Sequence, residues 1–253
     1  YLGYPGSLGA DNIDYIIADN IVIPNKNKNF YSEKIIFMPN SYQCNDNEKE
    51  ICIESISRKD FNLPANGFVF TCFNNNYKIT QKEFNIWMRL LTEKKGSVLW
   101  LLKSNEWAKI NLLNEARKKN VDPKRLIFAN KLPLKKHLAR HSLGDLALDT
   151  FNCNGHTTTS DALWAGLPVL TKIGESFAAR VSSSLLNAIS LPELITYSEV
   201  EYERKALQIA NNPDKLKKLK DKLAKSKETS PLYNSELFTR NLEHKFKELV
   251  TNK

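Results

Sequence analysis

LGDLALDTFNCNGHTTTSDALWAGLPVLT, residues 143–171, is the stretch whose reading decides the fold. Within it, DLALDT (145–150) has the apolar run of a buried strand, and PVLT (168–171), after Gly166, reads as the next. Between them a polar loop carries Asn154, Gly155 and His156, and a helix begins around Thr157 to Ser160. Strand, helix and strand in so short a span make a βαβ unit, whose strands must lie parallel. Thr157 and Thr158 stand where N-cap residues belong, with unpaired backbone amides behind them. A helix N-terminus following a parallel strand is a ready anion site, through its dipole and those free amides. Gly155 lets the backbone approach a phosphate; His156 and the threonine hydroxyls add donors. Asp161, one turn into the helix, is placed to accept from a sugar hydroxyl. Singly, each threonine is a mere cap and His156 a loop residue. Together at the carboxyl edge of a parallel sheet they point to a bound anion.

The same alternation extends outward in both directions. FVFTCF (68–73), SVLWLL (97–102), RLIFA (125–129) and LITY (194–197) read as further strands. TQKEFNIWMRLLTEK (80–94) places Phe84, Trp87, Met88 and Leu91 on one helical face. WAKINLLNEARKKN (107–120), PLKKHLARHS (133–142), SDALWAG (160–166) and ESFAARVSSSLLNAI (175–189) read as the other helices. The fold class is therefore α/β, a Rossmann-like parallel sheet with helices on both faces. Ahead of it, IDYIIAD (13–19) and EKIIFMP (33–39) are strand-like, and Gln43 to Arg58 has the composition of a polar linker. Residues 231–250 read as one amphipathic helix, closing its own domain or packing onto a neighbour.

Three other loops fall at the same edge of the sheet. In TCFNNNYKITQ (71–81), Lys78 precedes a helix, where a lysine opposes the dipole unless an anion faces it. In NKLPLKKHLARHS (130–142), His137 and Arg140 share a helix face, and the turn at Leu132 and Pro133 offers backbone groups to a flat base. Taken alone, Lys78, Lys135, Lys136 and Arg140 are surface charges and His141 a bystander. GESFAARVSSSLL (174–186) is explained by capping and packing.

The 253 residues carry a formal charge of +9, but much of the lysine excess lies in DKLKKLKDKLAKSK (214–227). There Leu216, Leu219 and Leu223 recur at helical spacing, no aromatic residue interleaves with the lysines, and a solvated helix face is favoured over a nucleic-acid stripe. The four cysteines form no CxxC pair, which suits reduced thiols in a cytoplasm and no metal site. No apolar run approaches the roughly 20 residues that span a bilayer. The abrupt apolar start at Tyr1, with no targeting segment, reads as part of a longer polypeptide.

These segments together resemble the catalytic region of the O-linked N-acetylglucosamine transferases, SPINDLY-like members included. In that family tetratricopeptide repeats precede a two-domain glycosyltransferase of the GT-B type. The likeness runs from LGYPGSLGADNIDYIIAD (2–19) through YSEKIIFMPNSYQ (31–43), FNNNYKI (73–79) and LDTFNCNGHTTTSDALWAGLPVLT (148–171) to SPLYN (230–234). It implies that residues 1–42 end the N-terminal catalytic domain, 43–66 link, 67–230 form the UDP-sugar-binding domain, and 231–253 form a C-terminal helix that packs back. It implies transfer of N-acetylglucosamine from UDP-N-acetylglucosamine to Ser or Thr hydroxyls of proteins, inverting, metal-independent and without a cofactor. Lys78 matches the lysine that stabilises the departing diphosphate. Asn75 stands where the family often has Gln. His156, Thr157 and Thr158 match phosphate contacts, Asp161 a ribose contact, and His137, Arg140 and Leu132 the surroundings of uridine. Gly3, Tyr4 and Pro5 match the loop that closes over the sugar.

Two departures stand out. Leu134 replaces a lysine beside the uridine loop, with Lys135 next to it. The tetratricopeptide array and most of the N-terminal catalytic domain, with its candidate base histidines, have no counterpart here, so the chain is expected to bind UDP without turnover. The alternatives are an O-fucosyltransferase-like enzyme using GDP-fucose, a distant N-linked glucosyltransferase, and a non-catalytic nucleotide-sugar-binding module. No nucleic acid or membrane partner is expected.

Overall fold

The computed structural model describes residues 3–251. Tyr1 and Leu2, which open the matched N-terminal stretch, and Asn252 and Lys253 at its other end lie outside them. Strands β1 (Tyr15–Ala18) and β2 (Lys34–Phe37) pair in parallel as a small sheet of their own. A second sheet is built from β3 (Val69–Cys72), β4 (Val98–Leu102), β5 (Leu126–Ala129), β6 (Leu146–Leu148), β7 (Val169–Lys172) and β8 (Ile195–Thr196). Its order is β5-β4-β3-β6-β7-β8 and every pairing is parallel. The chain thus winds outward one way from β3 and the other way from β6. Between those two strands lies the topological switch, the crevice where open α/β sheets bind ligands.

Helices α1 (Gln81–Glu93), α2 (Glu106–Lys118), α3 (Leu134–Arg140), α4 (Thr157–Trp164) and α5 (Val181–Ala188) make the crossovers. Strand residues alternate between two apolar clusters: Phe70 and Cys72 join the larger, Val69 and Phe73 the smaller. The helical face expected on α1 is buried, with Phe84, Trp87, Met88 and Leu91 all in the larger cluster. Thr80 and Glu83 close a capping box at its start. Gly166, at φ +83°, ends α4 in the left-handed conformation, with Leu167 N–H reaching back to Ala162 O at 2.9 Å.

Several expectations need correction. The helix read over 175–189 is broken: a 3-10 turn spans Phe177–Ala179, and α5 begins only after Arg180. Arg180 has non-helical backbone angles, and its guanidinium donates to Ile21 O and Gly174 O, which holds the break open. A helix not singled out, α6 (Glu199–Ala210), follows Ser198, whose hydroxyl caps it. The lysine-rich run lies within α7 (Pro213–Thr229), and Leu219 and Leu223 are its buried leucines. The terminal helix α8 (Ser235–Thr251) starts later than expected because Pro231–Tyr233 form a 3-10 turn that buries Leu232 and Tyr233. None of the residues of α8 is buried. No helix among the described residues is long and apolar enough to cross a membrane.

The linker expected from composition is a packed strap. Gln43 and Asn45 are buried, and Asn45 Nδ2 donates to Leu232 O at 3.3 Å. The small sheet is joined to the large one through Asp19, which is 2% exposed. Its carboxylate accepts from Ile21 N (2.8 Å), Val22 N (3.0 Å), Tyr42 N (2.9 Å) and Ser184 Oγ of α5 (2.6 Å). Asp19→Ala strands these donors and should cost about 3 kcal/mol of unfolding free energy in urea titration. A loss below about 1 kcal/mol would mean that the joint does not depend on this carboxylate.

Candidate functional site

Three loops converge at the carboxyl ends of β3, β6 and β7. Their common anchor is Asp149, the residue after β6, which is 2% exposed. Its Oδ1 accepts from Asn74 Nδ2 (3.0 Å), Thr150 N (2.9 Å) and Gly155 N (2.7 Å), and Oδ2 from Thr171 Oγ1 of β7 (2.7 Å). Burial raises the carboxyl's pKa, and the donated hydrogen bonds offset part of that rise. One carboxylate thereby pins the β3 loop, the β6 loop and β7 in register.

Asn154 is pinned as tightly. Its N–H donates to Ala178 O (2.9 Å) and its Nδ2 to Thr150 O (2.8 Å). Its own carbonyl accepts from Lys78 Nζ at 2.8 Å. Lys78 therefore reaches across from the β3 loop to the loop that carries His156, and the charge of Lys78 is one of the causes that lower the pKa of His156. The two stand close together at this edge of the sheet. Lys78 is half-buried and ends a 3-10 turn, Asn76–Lys78, ahead of α1 rather than inside its first turn. Its ammonium has three donors, and Asn154 uses one.

At the head of α4 the N-cap is His156, and Thr157 and Thr158 are the first helical residues rather than caps. No side chain caps this end. The helix's first amides have no carbonyl within the helix to bond, so they face the cleft as donors. Thr157 is exposed, while Thr158 Oγ1 donates a short hydrogen bond to Asn74 Oδ1. A Cβ on Gly155 would stand 2.5 Å from Thr159 Oγ1, 2.6 Å from Thr158 Oγ1 and 3.0 Å from Asn74 Oδ1. The glycine is required by that crowding of the loop on the helix. His156 Nε2 lies 3.4 Å from Ala178 O, which only accepts, so Nε2 carries the proton. Burial, then Lys78, lower its pKa to about 4.

A second group lies on α3. His137 Nδ1 accepts from Arg140 Nη2, and Arg140 Nη1 donates to Asn130 O at 2.6 Å. The guanidinium stacks 4.5 Å from the centre of the Phe73 ring and is 1% exposed. Arg140 is thus a buried brace for His137 and the β5 loop rather than a surface charge. Burial lowers the pKa of Arg140 to about 10 and, with Arg140's charge, that of His137 to about 4. Asp161 is near enough to act on His137 from α4, but it is not free: Oδ1 accepts from Lys49 Nζ at 2.7 Å. Leu132 is half-buried at the start of the same turn, and Leu134 is 51% exposed. Lys135, next to it, pairs with Glu50 at the surface.

Asn75 is exposed and its side-chain amide donates to Tyr77 OH at 3.4 Å, while its neighbour Asn74 enters the network. Gly3, Tyr4 and Pro5 are not brought to the cradle. Gly3 and Tyr4 line a separate cavity of about 200 Å³ with Tyr15, Tyr42 and Phe177, and Tyr4 is 64% exposed. Sequence reasoning passed over Asn74, Asp149 and Tyr202, whose hydroxyl donates to Asp149 O at 3.2 Å. An aspartate closing a strand just before a glycine loop was the available signal for Asp149. Among the described residues, no three His, Cys, Asp or Glu side chains cluster as a metal site.

The chain matches the model of glycosyl transferase family 41 over residues 1–53 and 44–242. It is 37% identical over 252 residues to the probable UDP-N-acetylglucosamine–peptide N-acetylglucosaminyltransferase SEC of Arabidopsis thaliana, covering 97% of this chain and 26% of that protein. It is 33% identical over 187 residues to the UDP-N-acetylglucosamine–peptide N-acetylglucosaminyltransferase of Caenorhabditis elegans, covering 74% of this chain and 16% of that one. The chain thus spans about a quarter or less of these relatives. An O-GlcNAc transferase structure from Thermobaculum terrenum superposes with TM-score 0.88 at 25% identity, over 98% of this chain and 47% of that chain. A sucrose-phosphate synthase from Thermosynechococcus elongatus shares the fold, with TM-score 0.66 at 14% identity over 94% of this chain and 59% of that one.

The depressed histidine pKa values set a pH prediction. Both lie near 4 in the folded protein, below the ordinary 6.5. As pH falls through 6.5 the unfolded chain takes up protons first, so these two groups make stability decline between pH 6.5 and 4. Imidazole NMR signals of His137 and His156 should stay flat from pH 8 to 5.5, with midpoints near 4. Midpoints near 6.5 would show that neither ring is desolvated.

Proposed function

We propose that this chain, which belongs to glycosyl transferase family 41, holds the donor of a protein O-glycosyltransferase. The donor is UDP-N-acetylglucosamine, and its sugar passes to a Ser or Thr hydroxyl of a protein acceptor. The observation that carries this reading is the meeting of Lys78 with the uncapped head of α4 at the topological switch of the sheet. Both offer donors to one anion: an ammonium with two unused protons, and backbone amides at the positive end of a helix.

The chemistry follows from where charge develops. When the hydroxyl attacks the anomeric carbon, the bond to the diphosphate breaks and negative charge grows on the departing oxygens. Lys78, the Thr157 and Thr158 amides and the Thr157 hydroxyl are positioned to receive it without rearrangement. Attack opposite the leaving group inverts the anomeric centre, and the ammonium carries the role that a metal ion has elsewhere. His156, neutral in the free protein, gains basicity once the diphosphate lies beside it. His137, braced by Arg140, and the backbone at Leu132 flank the uracil, Asp161 takes a ribose hydroxyl, and Asn75 adds an amide to the phosphates. Residues 1–42 belong to the end of the N-terminal catalytic domain, 67–230 form the donor domain, and 231–253 pack back onto the domain that completes the enzyme. The acceptor's base lies in that domain.

Calorimetric titration with UDP, UDP-N-acetylglucosamine and GDP-fucose tests the donor. UDP-selective binding is expected, and Lys78→Ala should weaken it by about ten-fold or more, the loss of a charged hydrogen bond. Indifference to all three would leave only the fold, and preference for GDP-fucose would move the chain to the fucosyl relatives. A second prediction concerns turnover. These 253 residues alone should show no transfer to a peptide acceptor above background. Full activity would place the base within this chain.

A further inference from the structure

The strap between the two sheets lies across the helices of the nucleotide site. Lys49 Nζ pairs with Asp161 Oδ1 of α4 at 2.7 Å, and both side chains are largely buried, at 12% and 7% exposed. Trp164 Nε1, also on α4, donates to Lys49 O at 2.9 Å. Cys52 N–H donates to Lys135 O of α3 at 3.1 Å, and Glu50 and Glu54 pair with Lys135 and Lys136 of the same helix. Upstream, Asn45 and Asn47 tie the strap to Leu232 O and Ser235 Oγ. The exposed pairs contribute little. The Lys49–Asp161 pair differs, because removing one partner strands a buried charge.

We propose that Lys49 is a positioning residue for the nucleoside of the donor, an inference that rests on the reading of the site given above. Asp161 lies on α4, which packs against α3, and its charge acts on His137. Lys49 occupies one of its oxygens, whereas Oδ2 makes no hydrogen bond among the described residues. A carboxylate held by a cation on one oxygen offers the other in a fixed direction, as recognition of a sugar hydroxyl requires. Without the ammonium, Asp161 is free to turn toward another donor. The Trp164 bond to the Lys49 carbonyl fixes the backbone that delivers the lysine, so the strap sets the aim of Asp161. Lys49 touches no phosphate-binding group, and its effect is confined to the nucleoside end of the ligand.

Binding of UDP and of inorganic pyrophosphate, compared in one calorimetric series, separates the two ends. Lys49→Met should weaken UDP by about ten-fold or more while pyrophosphate changes by less than about two-fold, and Lys49→Arg should recover part of the loss. Equal losses on both ligands, or an unchanged UDP affinity, would overturn the positioning role. Should Lys49→Met fail to fold, Lys49→Gln keeps a donor for Asp161 without the charge. It must weaken UDP more than pyrophosphate, by less than the Met substitution would, and wild-type affinity for both ligands contradicts the proposal. Wild-type protein that binds pyrophosphate as tightly as UDP removes the nucleoside subsite and this inference with it. Wild-type protein that binds neither ligand defeats the donor-site reading itself.

Discussion

A carboxylate taken out of water with no cation beside it must find neutral donors, and Asp149 finds them on three segments at once. The β3 loop supplies Asn74, the β6 loop supplies the Gly155 amide, and β7 supplies Thr171. Those segments are remote in sequence and adjacent only because the sheet reverses its winding between β3 and β6. Everything that follows at the site depends on this one set of bonds. With Gly155 held down, His156 becomes the N-cap and α4 opens toward the crevice. With Asn74 held in, Lys78 is brought over the Asn154 carbonyl. Even the back of the hub is supported, since Tyr202 of α6 bonds the Asp149 carbonyl and accepts from Trp87 of α1.

The electrostatic division of labour is equally plain. At the head of α4 the positive contribution comes from one lysine and a helix terminus, because burial keeps His156 neutral. Around α3 and on α4, buried charge is neutralised by pairing or by stacking: Lys49 on Asp161, and Arg140 over Phe73. The lysine excess of α7 takes part in neither. Lys220 reaches Asp145, Lys222 pairs with Glu193, and Lys227 caps the Trp164 ring.

Much of this was legible in the residues. The strands of the described residues fall in the apolar runs that suggested them, β7 running one residue past its own, since a buried parallel strand advertises itself by uninterrupted hydrophobicity. The GHTT loop was legible because glycine, polar side chains and an apolar run in that order suit a strand-to-helix turn. What could not be read were the long-range polar bonds. The break at Arg180 depends on the Ile21 carbonyl, in the loop after β1, and the burial of Arg140 on the rings of Phe73, just past β3, and Trp100 of β4. The strap looked like a linker because Asn, Glu and Lys are soluble-looking in composition. Its order comes from partners on α3 and α4, invisible until the helices are assembled. The family resemblance supplied residue roles, and the geometry shows which of those residues share a surface.

A diphosphate settling between Lys78 and the head of α4 is what the donor site requires above all. Amide chemical shifts of the labelled protein, followed while UDP is added, report on that most directly. The predicted outcome is that the largest changes fall on Gly155 to Thr159 and on the β3 loop around Lys78, leaving the surface of α7 still. Changes spread over the α7 lysines, or none within the GHTT loop, would contradict it.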